Sequence, residues 1–365
     1  MSEWQTFCLK DLGKIVGGTT PPTNNPKNYG NKIAWITPKD LSTLQGRYIK
    51  KGSRNISRLG FKSCSCVLLP KHAILFSSRA PIGYVAIAEK RLCTNQGFKS
   101  IIPNKKIYFE FLYYLLRYHK DNISNIGGGT TFKEVSGTTL SLFQVKIPPT
   151  YYEQQKIART LSILDQKIEN NHKINELLHT LAHKVYEYYF KYKPKNAKLE
   201  QIIIENPKSN IMVKNAQKTQ DKYPFFTSGD NVLSYPKSII DGRNCFLNTG
   251  GNAGIKFYVG KASYSTDTWC ICANEFSDYL YLLLSSIKTH INQSFFQGTS
   301  LKHLQKNLLK KYPIYMPSVH EIKKFNQIMM PLLTLISINT RTSKKLEQIR
   351  DFLLPLLLKQ QVKPK

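Results

Sequence analysis

Between Ile157 and Tyr189 the chain keeps one apolar seam: Ile157, Leu161, Leu164, Ile168, then Asn171 and Asn175, then Leu178, Ala182, Val185 and Tyr189. The steps alternate four and three, the spacing that lets a helix present a continuous stripe to a partner helix. A second seam runs Phe325, Met329, Leu332, Ile336, Asn339, Ser343, Leu346, Arg350, Leu353, Leu357, each position 168 residues after its counterpart. Both seams open on a capping box, Thr150 with Glu153 and Ser318 with Glu321. Both turn polar at the same place. If the helices pair antiparallel, Asn171 and Asn175 meet Asn339 and Ser343, and the paired polar groups fix the register, because a slip would bury them against leucine. Forty-odd residues at about 1.5 Å each would make a rod of roughly 60 Å. The alternative is two amphipathic helices that each pack only on the neighbouring domain. Pro331 and Pro355 fall inside the second helix and predict a kink near each.

The flanking regions repeat as well. Residues 1–149 alternate short apolar runs with glycine and proline turns, the pattern of a β-rich or mixed domain with long loops. Residues 67–76 and 83–88 read as strands, and 108–120 as a helix. Residues 193–317 carry their own glycine turns and a helix over 278–288. Gly129-Thr130-Thr131 answers to Gly298-Thr299-Ser300 at an offset of 169, and Phe111-Leu-Tyr-Tyr-Leu-Leu to Tyr279-Leu-Tyr-Leu-Leu-Leu at 168. Thr94-Asn-Gln-Gly-Phe answers more loosely to Thr266-Asp-Thr-Trp. A period near half the chain is too long for a solenoid. It describes one domain-plus-helix unit used twice: 1–149 and 193–317 as α/β domains, 150–192 and 318–360 as long helices, in an α+β chain.

Charge narrows the partner. The chain has 53 Lys+Arg against 23 Asp+Glu, a formal net charge of +30. That excess points first to nucleic acid and second to a membrane surface, with a merely solvated basic surface as the bland alternative. No run approaches the ~20 apolar residues of a membrane span. No basic-then-apolar leader opens the sequence. The seven cysteines, with Cys64/Cys66 and Cys270/Cys272 spaced by one residue, lack further ligands at zinc-site spacing, so buried free thiols and a cytoplasmic location are expected.

Motifs that would carry catalysis fail on inspection. Gly254–Lys261 has five residues where a phosphate-binding loop has four, and Ala262 where Ser or Thr should bind magnesium. His179 and His183 lie one helical turn apart without the glutamate of a zinc-protease motif. No nucleophile elbow, clustered acidic triad or Asn/Asp-Pro-Pro-aromatic tetrapeptide is present. The expected role is a reader that leaves chemistry to partners, with no catalytic residue, metal ligand or cofactor of its own.

Three first-half segments carry a resemblance: Ala34-Trp-Ile-Thr-Pro-Lys-Asp-Leu41, Leu75-Phe-Ser-Ser-Arg-Ala-Pro-Ile-Gly-Tyr-Val-Ala-Ile-Ala88 and Thr94-Asn-Gln-Gly-Phe-Lys99. They resemble the target-recognition domain of the specificity subunit of Type I restriction–modification enzymes. Ile126–Ser136, Ile147-Pro-Pro and Glu153-Gln-Gln-Lys-Ile-Ala are similar to that family's passage from recognition domain to conserved helix. The second half is looser and lacks Ser-Arg-Ala-Pro. The resemblance implies two recognition domains reading the halves of a bipartite duplex DNA target. It implies two helices forming an antiparallel coiled coil that sets the spacer and docks two methyltransferase subunits. Those subunits would use S-adenosylmethionine, and restriction subunits would add ATP- and Mg2+-dependent cleavage. A specificity subunit of a fused methyltransferase–nuclease system, or a general nucleic-acid-binding scaffold, are the alternatives.

Base-reading chemistry then selects candidate DNA contacts, since Arg suits guanine and Asn or Gln suits adenine. They are Lys39, Arg79, Asn95, Gln96, Thr131 and Lys133 in the first domain. In the second they are Asn252, Lys256, Thr268, Ser300, Lys302 and His303. Asn95 and Thr131 have a plainer alternative, that of closing turns.

Overall fold

Both capping boxes form. The Glu153 amide donates to Thr150 Oγ1 at 3.2 Å, and the Ser318 amide and hydroxyl each donate to Glu321 Oε2 at 2.9 Å. From these caps two helices of 40 residues each run without a break, Tyr151–Phe190 and Val319–Leu358. The second continues through Pro331 and Pro355, and the Lys359 amide still reaches the Pro355 carbonyl at 2.9 Å.

The computed structural model describes residues 3–129, 133–216 and 222–364. The chain divides into two units, and the division falls inside the long helices. The first unit holds Met1–Asn170 with Ser343–Lys365, and the second holds Asn171–Thr342. Each α/β domain is thus built together with half of each long helix.

In the second unit the half-helices run antiparallel. Asn339 Nδ2 donates to Asn175 Oδ1 at 3.0 Å, and about four turns further on Tyr189 meets Phe325 with ring centroids 6.0 Å apart. Asn175 also donates to the Ile336 carbonyl at 3.2 Å. In the first unit Arg350 meets Asp165, while Ile157, Ala158 and Leu161 share a core with Leu354, Leu357 and Leu358. Asn171 and Ser343 are both buried, the former in the second unit and the latter in the first.

The first unit's strands are β1 (Gln5–Cys8), β2 (Gly13–Gly17), β3 (Tyr29–Ile36), β4 (Tyr48–Ile49), β5 (Arg54–Ile56), β6 (Ile74–Phe76), β7 (Val85–Ala88), β8 (Cys93–Thr94), β9 (Lys99–Pro103) and β10 (Gln144–Ile147). They form sheets in the orders β2-β9-β6-β7-β4, β5-β3-β8 and β1-β10. The second unit has β11 (Ala197–Lys198), β12 (Ile204–Glu205), β13 (Tyr223–Phe226), β14 (Leu233–Tyr235), β15 (Arg243–Asn248), β16 (Ile255–Val259), β17 (Ser263–Tyr264), β18 (Thr268–Cys272), β19 (Phe296–Gln297), β20 (His303–Leu304) and β21 (Pro313–Ile314). Its orders are β12-β18-β15-β16, β14-β13-β17, β11-β21 and β19-β20. The first three orders reproduce those of the first unit, with β4 as an extra edge. Even the parallel pairings correspond, β3 with β8 and β13 with β17.

That correspondence moves one sequence alignment. The Asn95 amide bonds the Ile36 carbonyl at 3.0 Å, and the Ser265 amide bonds Phe226 at 2.9 Å. Thr94 therefore matches Tyr264, two residues before the Thr266 that the sequence pattern pairs with it.

The middle strands are buried on both faces, as strand alternation requires of a sheet covered twice. Ile74, Phe76 and Ile87 pack with the Phe109–Asn125 helix, while Leu75, Ala86 and Ala88 pack with Ile36 and Leu41 on the opposite side. In the second unit Cys245 and Leu247 face the Ser277–Ser286 helix, and Phe246 faces Phe226 and Tyr258. Two arginines, Arg47 buried and Arg243 half-buried, join domain to helix. Arg47 bonds Glu110 at 3.0 Å and Glu169 of the first long helix at 3.1 Å. Arg243 grips Asp278 with two bonds of 2.6 Å and reaches Thr334 of the second at 2.9 Å. Glu110 and Asp278 are repeat equivalents, so an arginine meets the same acidic position in both units, from beside β4 in one and from β15 in the other.

All seven cysteines are free. Cys93, Cys245 and Cys270 are buried, whereas Cys8, Cys64, Cys66 and Cys272 are half-buried, so the expectation of buried thiols holds for three. Cys64, in a turn, and Cys66, just after it, have their sulfurs 3.1 Å apart. Among the described residues no helix is long and apolar enough to cross a membrane.

Candidate nucleic-acid interface

Four loops of the first domain converge where the central strands end. The Ser78 amide donates to the Gly97 carbonyl at 2.8 Å, and the Ser78 carbonyl accepts from Val135 at 3.0 Å. Thr19 bonds back to Thr94 at 3.0 Å, and Thr20 Oγ1 reaches Gln96 Oε1. A Cβ on Gly97 would come within 2.8 Å of Pro38 Cγ, so the turn sits tightly on the segment that carries Lys39. That segment is itself fixed: Asp40 Oδ2 accepts from the Thr37 amide at 2.8 Å and Oδ1 from Ser53 at 2.7 Å.

This frame brings Lys39, Arg79, Gln96 and Lys133 to one cluster of loops, with Lys39, Gln96 and Lys133 exposed and Arg79 half-buried. Asn95 is there too, but its Oδ1 accepts from the Gly97 amide at 3.0 Å and closes the turn. Thr131 lies outside the described residues. Glu134, which is not among the residues chosen by base-reading chemistry, sits at the centre. It pairs with Lys99 at 3.3 Å and Arg79 at 3.6 Å. Its one signal in sequence is its place three residues after a glycine-threonine turn.

The second domain converges in the same way. The Thr249 amide donates to Ser228 Oγ at 3.0 Å, its hydroxyl to the Asp267 carbonyl at 2.8 Å, and its carbonyl accepts from Leu304 at 3.0 Å. The Gly251 amide bonds the Lys302 carbonyl at 2.9 Å. Asn252, Ser300, Lys302 and His303 are exposed around these bonds. Lys256 and Thr268 are turned inward. The Lys256 ammonium donates to Thr227 at 2.8 Å and Asn248 at 3.1 Å, and burial holds its pKa below the usual lysine range. Thr268 is buried and donates to the Phe226 carbonyl at 3.2 Å.

The sequence look-alikes have structural places. Residues 255–259 of the glycine-flanked Gly254–Lys261 segment are strand β16, hairpinned on β15 with no helix following. His179 and His183 lie on the first long helix, His179 Nδ1 3.5 Å from the Tyr281 hydroxyl. Among the described residues no three His, Cys, Asp or Glu side chains gather as a metal site.

The profile of the Type I restriction modification DNA specificity domain matches residues 1–180 and again 195–348. The chain belongs to the Type I specificity-subunit family. The Type I restriction enzyme MjaIX specificity subunit of Methanocaldococcus jannaschii is 32% identical, over 98% of this chain and 93% of that one. The HindI specificity subunit of Haemophilus influenzae is 30% identical over 46% of this chain. A crystal structure of a Type I system S subunit from M. genitalium shares the fold at 16% identity, with a TM-score of 0.65 and coverage of 98% of this chain and 96% of that one. The double profile match falls on the same duplication that the two sheet orders display.

Proposed function

We propose that this specificity subunit reads a bipartite duplex DNA target, one half-site per recognition domain, and that it performs no chemistry itself. The observation that carries the reading is the pair of equivalent loop clusters, each rich in exposed basic and amide side chains, on a chain of net charge +30. Phosphate contacts from Lys39, Lys133 and Lys302 supply affinity and steep salt dependence, while side chains at the loop tips meet base edges.

The long helices are the docking surface for two methyltransferase subunits. On the first helix Ile174, Leu177, Leu181 and Tyr188 are exposed at three, four and seven residue steps, Leu177 by 70% and Tyr188 by 86%. The second helix exposes Ile328, Leu335 and Ile338. An apolar stripe left outside the seam that already pairs the helices fits a further helix. S-adenosylmethionine belongs to those methyltransferase subunits. ATP and Mg2+ belong to restriction subunits that complete the complex in the cytoplasm.

The test is co-expression with a Type I methyltransferase subunit of the same genome, followed by methylation mapping with long-read sequencing. A split motif with an unread spacer, lost when this chain is omitted, is expected. Methylation at the same sites without this chain, or a motif with no spacer, overturns the reading. A general scaffold would give no motif at all, and a fused methyltransferase–nuclease partner would cleave without a separate restriction subunit.

A further inference from the structure

The two loop clusters share one backbone frame, and the frame agrees with the sequence offset of 169, which already sets Glu134 opposite His303. In the first domain Glu134 pairs with Gly128 across an antiparallel bridge, and in the second His303 pairs with Gln297 across β19 and β20. The next residue bonds the same element each time, Val135 to Ser78 and Leu304 to Thr249, both at 3.0 Å. Those partners in turn bond the same turn, Ser78 to Gly97 at 2.8 Å and Thr249 to Asp267 at 3.3 Å. Glu134 and His303 are therefore one position of the fold, occupied by an acceptor-only carboxylate in one copy and by an imidazole in the other.

Their surroundings differ in step. Glu134 stands between Arg79 and Lys99, with an open groove beside it lined by Gly128, Ser136, Gly137 and Thr139. At the place of Arg79 the second domain has Gly250, which bridges directly to His303 and offers no side chain. The His303 ring is exposed, and among the described residues no group hydrogen-bonds it. A chain with 23 acidic residues against 53 basic ones has placed a carboxylate where a polyanion is to approach. A carboxylate there repels phosphate, so its place is explained by what it accepts.

We infer that residues 134 and 303 are equivalent base-selecting positions of the two recognition domains, an inference that rests on the DNA-reading function proposed above. Glu134 accepts a hydrogen from an exocyclic amino group of the first half-site, cytosine N4 or adenine N6, the major-groove donors that a carboxylate recognises. It also holds Arg79 in place to donate to an adjacent acceptor. His303 addresses the matching place in the second half-site and donates to a purine N7. The different occupants make the two domains read different half-sites through one frame.

The test uses the full chain with its methyltransferase partner and compares methylation motifs of the wild type, E134Q, E134A and H303A. E134Q keeps size and loses the acceptor-only character. It is expected to relax one position of one half-site by about tenfold and to leave the other half-site as it was. H303A is expected to relax one position of the opposite half-site by a similar factor. A role confined to holding the loop would lower methylation evenly at all positions and lower the melting temperature of the chain, and that result overturns the inference. So does an intact wild-type motif that is unchanged in both E134Q and H303A, in which case the family function stands. A wild-type complex that yields no split motif overturns the proposed function and this inference with it.

Discussion

Arg350 and Asp165 are 185 residues apart in sequence and share an Nη1 to Oδ1 hydrogen bond of 2.7 Å, with both side chains buried. The other carboxylate oxygen accepts from the Tyr114 hydroxyl at 2.5 Å. In the second unit the equivalent positions are Ala182 and Leu333, both buried and apolar. One half of the helix pair is thus closed by an ion pair and the other by packing. Removing Arg350 takes away the counter-charge of the buried Asp165 and leaves it with the Tyr114 hydroxyl. Arg350→Ala should cost about 3–5 kcal/mol, because the lone carboxylate keeps its desolvation penalty. The double change Asp165→Leu with Arg350→Ala puts the second unit's residues at these two positions, leaves the buried Tyr114 hydroxyl without its acceptor, and should recover part of that loss. Denaturant unfolding of the three chains checks it, and a double variant no more stable than Arg350→Ala would refute the account.

The Asn175–Asn339 pair carries a related asymmetry. Asn175→Ala leaves the Asn339 amide without its acceptor and should destabilise the second unit by about 1–2 kcal/mol. Replacing both residues by Leu removes both polar groups and should be neutral or stabilising, at the cost of a less sharply defined register. Thermal melts of the single and double variants separate the two effects.

Stability at low pH should depend on Glu321. The Ser318 backbone amide, the Tyr315 hydroxyl and Lys193 hold its carboxyl at about 2. The unfolded carboxyl titrates near 4.3. A depressed folded value contributes stability that is fully present above the unfolded value and is lost as pH falls towards the folded one. The melting temperature should therefore drop between about pH 5 and pH 2, and E321Q should show a shallower drop over that window. Equal slopes for the two proteins would count against the cap as the titrating element.

Both long helices pass from one unit to the other, at Asn170/Asn171 and at Thr342/Ser343. A change of spacer length therefore has to be made twice. Seven residues inserted after Glu169 alone shift one helix against its partner and should lower stability. Seven inserted after Asn170 together with seven after Thr342 preserve both seams and add about 10 Å of helix. The spacer of the methylated motif should then grow by about three base pairs at 3.4 Å each, with both half-sites unchanged. An active complex with an unaltered spacer would show that the helices do not set the separation.

Much of the architecture was legible in the residues because its causes are local. Helix starts are written in Thr150 and Glu153, in Ser318 and Glu321, because a capping box closes within four residues. The two seams are legible because a helix returns to one face every three or four positions, and their shared offset of 168 betrays the duplication. Charge and the recognition-domain motifs brought nucleic acid into view. What tertiary structure decided is which distant groups meet. Asp165 is an ordinary polar residue in sequence until the antiparallel partner brings Arg350 to it. Lys256 and Thr268 have the chemistry of DNA contacts, yet the strand pairing turns them inward to Thr227, Asn248 and Phe226. Glu134 has the wrong charge for DNA by composition alone, and only the converging loops place it between Arg79 and Lys99. Periodicity and caps depend on neighbours along the chain, so sequence determines them. Strand order and loop convergence join residues distant along the chain, from Ser78 and Gly97 to Gln5 and Ile147, and their side chains acquire a role only when the backbone has closed around them.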